Sequence, residues 1–233
     1  MITHLADTRG RADHGWLKSY HTFSFADYHN PDRMNFGALR VINDDIIEPG
    51  MGFGTHGHQD MEIITIPLEG NLQHKDSVGN ASIIKKGEVQ IMSAGTGIYH
   101  SEFNASKTER VKLLQIWVLP GKRGVRPRYE QKSFSHEGRQ NKIQKVVSPD
   151  GREGSISINQ NAFFSLSDLG EGQEITYRKN AEGNGLYLFI IKGRIEVSGQ
   201  EFSDKDGIGF PEFDELKIRA VTESEILLME VPV

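Results

Sequence analysis

The sequence predicts an all-β protein made of two tandem antiparallel β-barrels, and three observations carry the prediction. Glycine is frequent, with 25 among 233 residues, while hydrophobic side chains make up 36% and never run long. That combination suits many short strands joined by tight turns. Turn signals recur about every 8–12 residues, the spacing of a sandwich or barrel. No amphipathic helical pattern extends beyond about two turns. Lys192-Gly193-Arg194 follows an apolar stretch as Glu69-Gly70-Asn71 does, so the two halves read as a divergent repeat without a strict period.

The elements follow in order. Residues 1–19 are polar and read as irregular. Residues 20–25, from Tyr20 to Phe25, alternate large and polar side chains, the period of a half-buried strand. Asn30-Pro31-Asp32 marks a turn. Residues 38–43 and 45–48 are strand material, expected to break at Asn43-Asp44, and Pro49-Gly50 turns again. Residues 62–67 are β-branched and short, a buried strand. Residues 72–76, 81–85, 88–92 and 112–119 continue the pattern. Residues 120–127, rich in Gly, Pro and basic side chains, read as a linker or domain crossing, and 128–145 show no periodicity. A second β pattern occupies 155–158, 162–166, 185–191, 193–197 and 225–231. The expected domains are 1–130 and 131–233.

Composition excludes several functions. The 27 Lys and Arg against 32 Asp and Glu leave a net charge of −5, so direct nucleic-acid binding is not expected. The absence of cysteine removes disulfides, thiolate ligands and a cysteine nucleophile. The first ten residues lack an apolar signal core, and no stretch approaches the ~18 apolar residues of a membrane span. A soluble, cytoplasmic, monomeric protein without membrane association is therefore expected.

The chemistry concentrates in two stretches. His56 and His58 stand at i and i+2, which on a strand places both rings on one face. His100 and Glu102 repeat the spacing. A lone His-x-His is weak; a second pair in Gly-rich sequence strengthens it, and Gly50, Gly52, Gly54 and Gly57 leave room for close backbone approach. On paired strands these groups would form an N3O site for Fe, Mn, Co, Ni, Cu or Zn rather than Ca or Mg. Four protein ligands on an octahedral ion leave two positions for water, substrate or dioxygen, as in a catalytic sphere such as that of Fe(II). Glu62, at i+4 from His58, keeps the same strand parity and stays open as the carboxylate. All nine His lie at or before His136, so the C-terminal half is left a packing, lid or partner role. His21 and His74 read as hydrogen-bonded core or surface residues, Trp16 and Trp117 as packing. The basic residues of 122–128 read as a solvated linker.

These residues resemble a family. Gly50-x5-His56-x-His58-x3-Glu62-x7-Gly70 resembles the first cupin motif, with one extra residue before its last glycine. Gly87-x5-Ser93-x-Gly95, then Gly97-x2-His100-x3-Asn104, resembles the second, with Ser93 in place of the usual Pro and two residues inserted before the His. Gly54-Thr-His-x-His-x-Asp-Met-Glu-Ile63, Gln90-Ile-Met-Ser-Ala-Gly-Thr-Gly-Ile-x-His-Ser-Glu102 and His21-Thr-Phe-Ser-Phe25 are similar to sequences of the pirin family of bicupins. The resemblance covers most of residues 14–130 and only loosely the C-terminal half. It implies a bicupin of two jelly-roll domains, with only the N-terminal one binding metal. It implies one divalent ion, usually iron, held by His56, His58, His100 and Glu102, and puts Glu102 ahead of Glu62 as the carboxylate ligand. It also implies quercetin 2,3-dioxygenase activity on a flavonol with O2, releasing carbon monoxide, Glu102 or Glu62 taking the substrate proton. The other expected class is a non-catalytic regulatory protein, a transcription cofactor or redox sensor working through a protein partner. A third is a cupin acting on an unrelated small substrate, such as an isomerase.

Overall fold

A computed structural model describes all residues, Met1–Val233. The only helices are three single turns of 3₁₀ helix, Ala6–Thr8, His136–Gly138 and Arg152–Gly154. No helix is long and apolar enough to cross a membrane. Twelve strands precede residue 134: β1 (Ile2–His4), β2 (Gly10–Asp13), β3 (Leu17–His21), β4 (Leu39–Ile47), β5 (Gly52–His58), β6 (Glu62–Glu69), β7 (Asn71–Asp76), β8 (Ala81–Lys85), β9 (Glu88–Ser93), β10 (Ile98–Asn104), β11 (Val111–Val118) and β12 (Arg128–Ser133). Ten follow: β13 (Gln144–Ser148), β14 (Ile156–Ser157), β15 (Phe163–Leu169), β16 (Glu174–Arg178), β17 (Asn184–Lys192), β18 (Ile195–Val197), β19 (Gln200–Phe202), β20 (Gly207–Phe210), β21 (Glu215–Ala220) and β22 (Ser224–Pro232).

The chain forms two compact units. One contains Gly10–Asn35 and Leu39–Phe134. Its larger sheet runs β12-β9-β6-β11-β4-β3-β2 and its smaller sheet β5-β10-β7-β8. Leu17, Ile47 and Leu113 of the larger sheet share one apolar cluster with Leu72 and Ile84 of the smaller, so the two inner faces pack on each other. The strands obey the period of two. Along β7 exposed and buried residues alternate strictly, which turns Leu72, His74 and Asp76 inward. Along β10, Ile98, His100, Glu102 and Asn104 are the buried set.

The other unit contains Met1–Arg9, Phe36–Ala38 and Ser135–Val233. Its sheets run β1-β20-β17-β22-β15-β13-β14 and β16-β21-β18-β19. The strands pair antiparallel except β13 with β14, and an isolated parallel bridge joins Gln140 to Asp168. The apolar run in β17 is buried on both faces, and Leu186, Leu188 and Ile190 enter one continuous core with Ile195, Ile226 and Leu228.

The fold corrects several expectations. Residues 1–19 are not irregular: β1 joins the C-terminal unit by pairing with β20, while β2 and β3 extend the larger N-terminal sheet. The strand expected over 20–25 begins at Leu17 and ends at His21. β4 does not break at Asn43-Asp44; it runs through to Ile47 with Asn43, Asp44 and Asp45 all buried. β12, whose polar residues sit half-exposed on a sheet edge, lacks the apolar alternation that would have revealed it.

Candidate metal centre

β5 and β10 are antiparallel partners, with His100 opposite His56 and Ile98 opposite His58. The i, i+2 spacing therefore puts His56 and His58 on one side of β5 and sets His100 across from them. Gly52 sits tight against β10: a Cβ there would stand 2.2 Å from the Glu102 carbonyl oxygen, so only glycine fits without moving the backbone. Gly50 and Gly54 border open space instead, and the expectation of close approach at those positions does not hold. The register slips between His100 and Glu102, a bulge that leaves Glu102 opposite Phe53. On its other edge β10 pairs with β7, where Glu102 faces His74 and His100 faces Asp76.

The imidazoles converge. Ring centroids lie 4.4 Å apart for His56–His100 and 4.9 Å apart for both His56–His58 and His58–His100. One nitrogen from each ring lies within 4.8 Å of the others. His56 Nδ1 lies 2.8 Å from the Gly54 carbonyl oxygen, which can only accept, so Nδ1 carries the proton and Nε2 presents its lone pair. Desolvation, reinforced by His56, pushes His58 down to about 4. Desolvation and the neighbouring imidazoles push His100 down as well. Both rings are thus neutral bases at neutral pH, the form that ligates a metal.

Glu102 is 2% exposed. Gln115 Nε2 donates to its Oε2 at 2.8 Å, and burial raises its pKa against that hydrogen bond. Its Oε1 is buried with no partner, as are both ring nitrogens of His100. Each unmade buried hydrogen bond costs about 1–3 kcal/mol. Three such atoms on adjacent inward positions of one strand, beside two further imidazoles, fit a cation-binding role. The nitrogen-rich set with one carboxylate fits a divalent transition ion and not Ca or Mg.

His74 is a neighbour that sequence reasoning left in the core or on the surface. Its Nε2 bonds Asp76 Oδ2 at 3.1 Å, its Nδ1 is buried without a partner, and a ligand atom of His74 lies within 4.8 Å of those of His100 and Glu102. The signal was the His74-x-Asp76 spacing, the same i, i+2 period as the two histidine pairs. Glu62 is not among these converging groups. The chain leaves β5 at His58, turns through Asp60 at φ 47°, and enters the other sheet at Glu62, so strand parity does not carry across. The Ser93 hydroxyl donates to Glu62 Oε2 at 2.8 Å, so the serine that departs from the cupin motif serves this buried carboxylate.

A cavity of about 250 Å³ opens beside His56 and His58, just below the roughly 300–1,000 Å³ of small-molecule sites. Phe25, Phe53 and Trp117 supply its aromatic surface. Trp117 meets the His58 ring edge-on with centroids 4.9 Å apart, and Phe25 meets Trp117 at 5.3 Å, so these rings line the site beyond mere packing. Ser19, His21, Asn43 and Asp45 form a polar side that the sequence had not suggested, because a strand was expected to end there. Burial pushes Asp45 up to about 7, partly countered by the Ser19 hydroxyl.

In the C-terminal unit, His4 Nδ1 bonds the Tyr187 hydroxyl and His136 Nδ1 bonds Asp168. Thus β1 brings that unit an imidazole which a boundary near residue 130 assigns elsewhere.

Comparison with known proteins agrees with this architecture. The pirin family pattern matches residues 3–118, and that of the quercetinase C-terminal cupin domain matches residues 145–231. The quercetin 2,3-dioxygenase of Escherichia coli K12 is 47% identical over 97% of this chain and 96% of its own length. The crystal structure of YhhW from Escherichia coli superposes with a TM-score of 0.95 at 45% identity, covering 100% of this chain and 98% of that one. The structure described as bacterial pirin YhhW in complex with nickel(II) superposes at 0.94, also at 45% identity, covering 99% of this chain and 98% of that one. With two matching domains, and a relative of this identity spanning nearly its whole length, the chain belongs to the pirin family of two-domain cupins.

Proposed function

We propose that this protein is a quercetin 2,3-dioxygenase, opening the flavonol ring with dioxygen and releasing carbon monoxide. The observation that carries the reading is the convergence of imidazoles from His56, His58 and His100, with the unpartnered oxygen of Glu102 near His100, beside an aromatic-walled cavity. The near-full-length relative bearing that name supports it. His56, His58, His100 and Glu102 would hold one divalent transition metal. Iron(II) is the first candidate from the family resemblance, the nickel(II) complex of a pirin relative supports Ni beside it, and the donor set also suits Mn, Co, Cu and Zn. When bound, such an ion supplies Lewis acidity that lowers the pKa of a ligating hydroxyl and, if redox-active, a route for an electron between substrate and dioxygen.

The chain's own residues do the rest. The Gly54 carbonyl fixes the His56 tautomer, and Gln115 orients Glu102, each restricting a ligand to one useful posture. Glu102 Oε1 would take the flavonol hydroxyl proton once it is released from the ion, since Oε2 stays with Gln115. Phe25, Phe53 and Trp117 hold the flat ring system and exclude water. Glu62, seated on Ser93, holds the crossing between sheets and takes no part in proton transfer. The reading keeps a cytoplasmic, monomeric enzyme.

Metal analysis of untagged protein, followed by oxygen uptake with quercetin, tests the reading. About one equivalent of a transition metal per chain, lost in His56→Ala together with the uptake, is expected. Stoichiometric metal without uptake would sink the dioxygenase assignment in favour of another substrate or a regulatory role. No metal after reconstitution would sink the centre itself.

A further inference from the structure

The polar side of the cavity demands a reason. Ser19 and His21 on β3 pair in register with Asp45 and Asn43 on β4, so four polar residues occupy inward positions where a barrel would bury apolar ones. They form one network. Ser19 Oγ donates to Asp45 Oδ1, and Asn43 Oδ1 accepts from His21 Nδ1 at 2.8 Å. The network is incomplete on one side. Asp45 has a single side-chain donor and no cationic partner, and Asn43 spends only its carbonyl oxygen. The second carboxyl oxygen of Asp45 and the amide nitrogen of Asn43 have no partner in the chain, and both residues line the cavity. A buried carboxyl held by one hydroxyl is costly, and the upward displacement of Asp45 to about 7 reflects that cost.

The network also connects to the metal centre. Asn43 stands directly across from Gln115, whose amide donates to Glu102. One cavity therefore offers His56 and His58, an acceptor and donor on β4, and the aromatic rings of Phe53 and Trp117.

We propose that Asp45 and Asn43, braced by Ser19 and His21, are a specificity-determining wall that binds a ring hydroxyl of a polyhydroxylated aromatic substrate while its reacting end lies at the imidazoles. Asp45 accepts from the phenolic O–H and the Asn43 amide donates to its oxygen. A flat molecule held at both ends cannot rotate in the slot, and an analogue lacking the ring hydroxyl leaves the wall unsatisfied. The proposal rests on the aromatic substrate of the reading above.

The test uses the metal-loaded protein without oxygen and two flavonols: quercetin, and 3-hydroxyflavone, which has no other ring hydroxyl. Binding is read by quenching of tryptophan fluorescence, since Trp117 lines the cavity. Asp45→Leu should weaken quercetin about tenfold and leave 3-hydroxyflavone unchanged or tighter. Asp45→Asn, which keeps the shape and can still accept from Ser19, should weaken quercetin several-fold with the same selectivity, and it carries the test if the leucine variant does not fold. Equal loss for both flavonols, no loss for either, or no binding of quercetin by the unmodified protein overturns the wall. Oxygen uptake in a parallel aerobic assay separates the two claims: selective binding without uptake sinks the dioxygenase reading and leaves the wall in place.

Discussion

Two buried glutamates, one in each unit, show how the same side chain serves opposite ends. Glu230 lies on β22 in the C-terminal unit and is fully buried. Its carboxylate accepts from the Tyr177 hydroxyl, the backbone N–H groups of Asn180 and Ala181, and the side-chain amides of Asn180 and Asn184. Every oxygen is engaged, and the result is a staple that fixes a turn. Glu102 in the N-terminal unit accepts from Gln115 and keeps an unpartnered oxygen next to the unpartnered nitrogens of His100. A saturated buried carboxylate belongs to the scaffold; an unsaturated one beside bare imidazoles belongs to a ligand. The interiors repeat the contrast. The C-terminal unit fills its core with Leu, Ile and Phe side chains from both sheets, whereas the N-terminal unit gives inward positions to His, Glu, Asn and Asp around a cavity.

The largest expected effect tests the division directly. His100→Ala removes a ring whose two nitrogens have no protein partner. It should abolish stoichiometric metal binding and oxygen uptake with it, while costing the metal-free protein little stability. Metal analysis and urea unfolding of the same preparation check both halves. A metal-free variant several kcal/mol less stable than its metal-free parent would show that His100 is a scaffold residue after all.

Leu228→Ala makes the mirror-image change. Leu228 is fully buried in the apolar core of the C-terminal unit, and large-to-small replacement there should cost about 2–5 kcal/mol. Metal stoichiometry, measured well below the unfolding transition, should stay at the value of the unmodified protein. If metal is lost in proportion to stability, the division between scaffold and site fails.

The sequence made one of these interiors easier to read than the other, for identifiable reasons. The three histidines were visible because i, i+2 spacing on a strand fixes a face, and of the glycines before them Gly52 marks a close backbone approach whereas Gly54 does not. The polar wall was hidden by the same logic. Asn43-Asp44-Asp45 looks like a break, since strands with inward polar residues violate the alternation by which strands are recognised, and only a cavity makes such residues tolerable. His74 is the buried, hydrogen-bonded residue expected, and what local pattern could not show is its nearness to His100 and Glu102, which appears only when β10 is placed alongside. Glu62 shows the limit of counting parity: a left-handed residue at Asp60 and a change of sheet intervene between it and His58. The position of β1 was beyond local pattern altogether, because its partner β20 lies some two hundred residues away.

The smallest effect concerns stability and pH, and its sign separates the wall from the metal ligands. Asp45 is raised from 3.8 to about 7 in the folded chain. Between those values the native state keeps a proton that the unfolded state has released. The contribution of Asp45 to stability is therefore full below about pH 4 and is lost as pH rises through 7. His58, lowered to about 4, works the other way: stability is full above its ordinary 6.5 and declines as pH falls toward 4. Asp45→Asn removes the first dependence and leaves the second intact, so the difference between variant and parent isolates Asp45. Urea unfolding at pH 5 and pH 8 should show the variant gaining on its parent at the higher pH, by on the order of 2 kcal/mol. A difference that does not change with pH would mean that Asp45 ionises as it does in water. The wall would then be a hydrated surface, with no buried polar side for a substrate hydroxyl to complete.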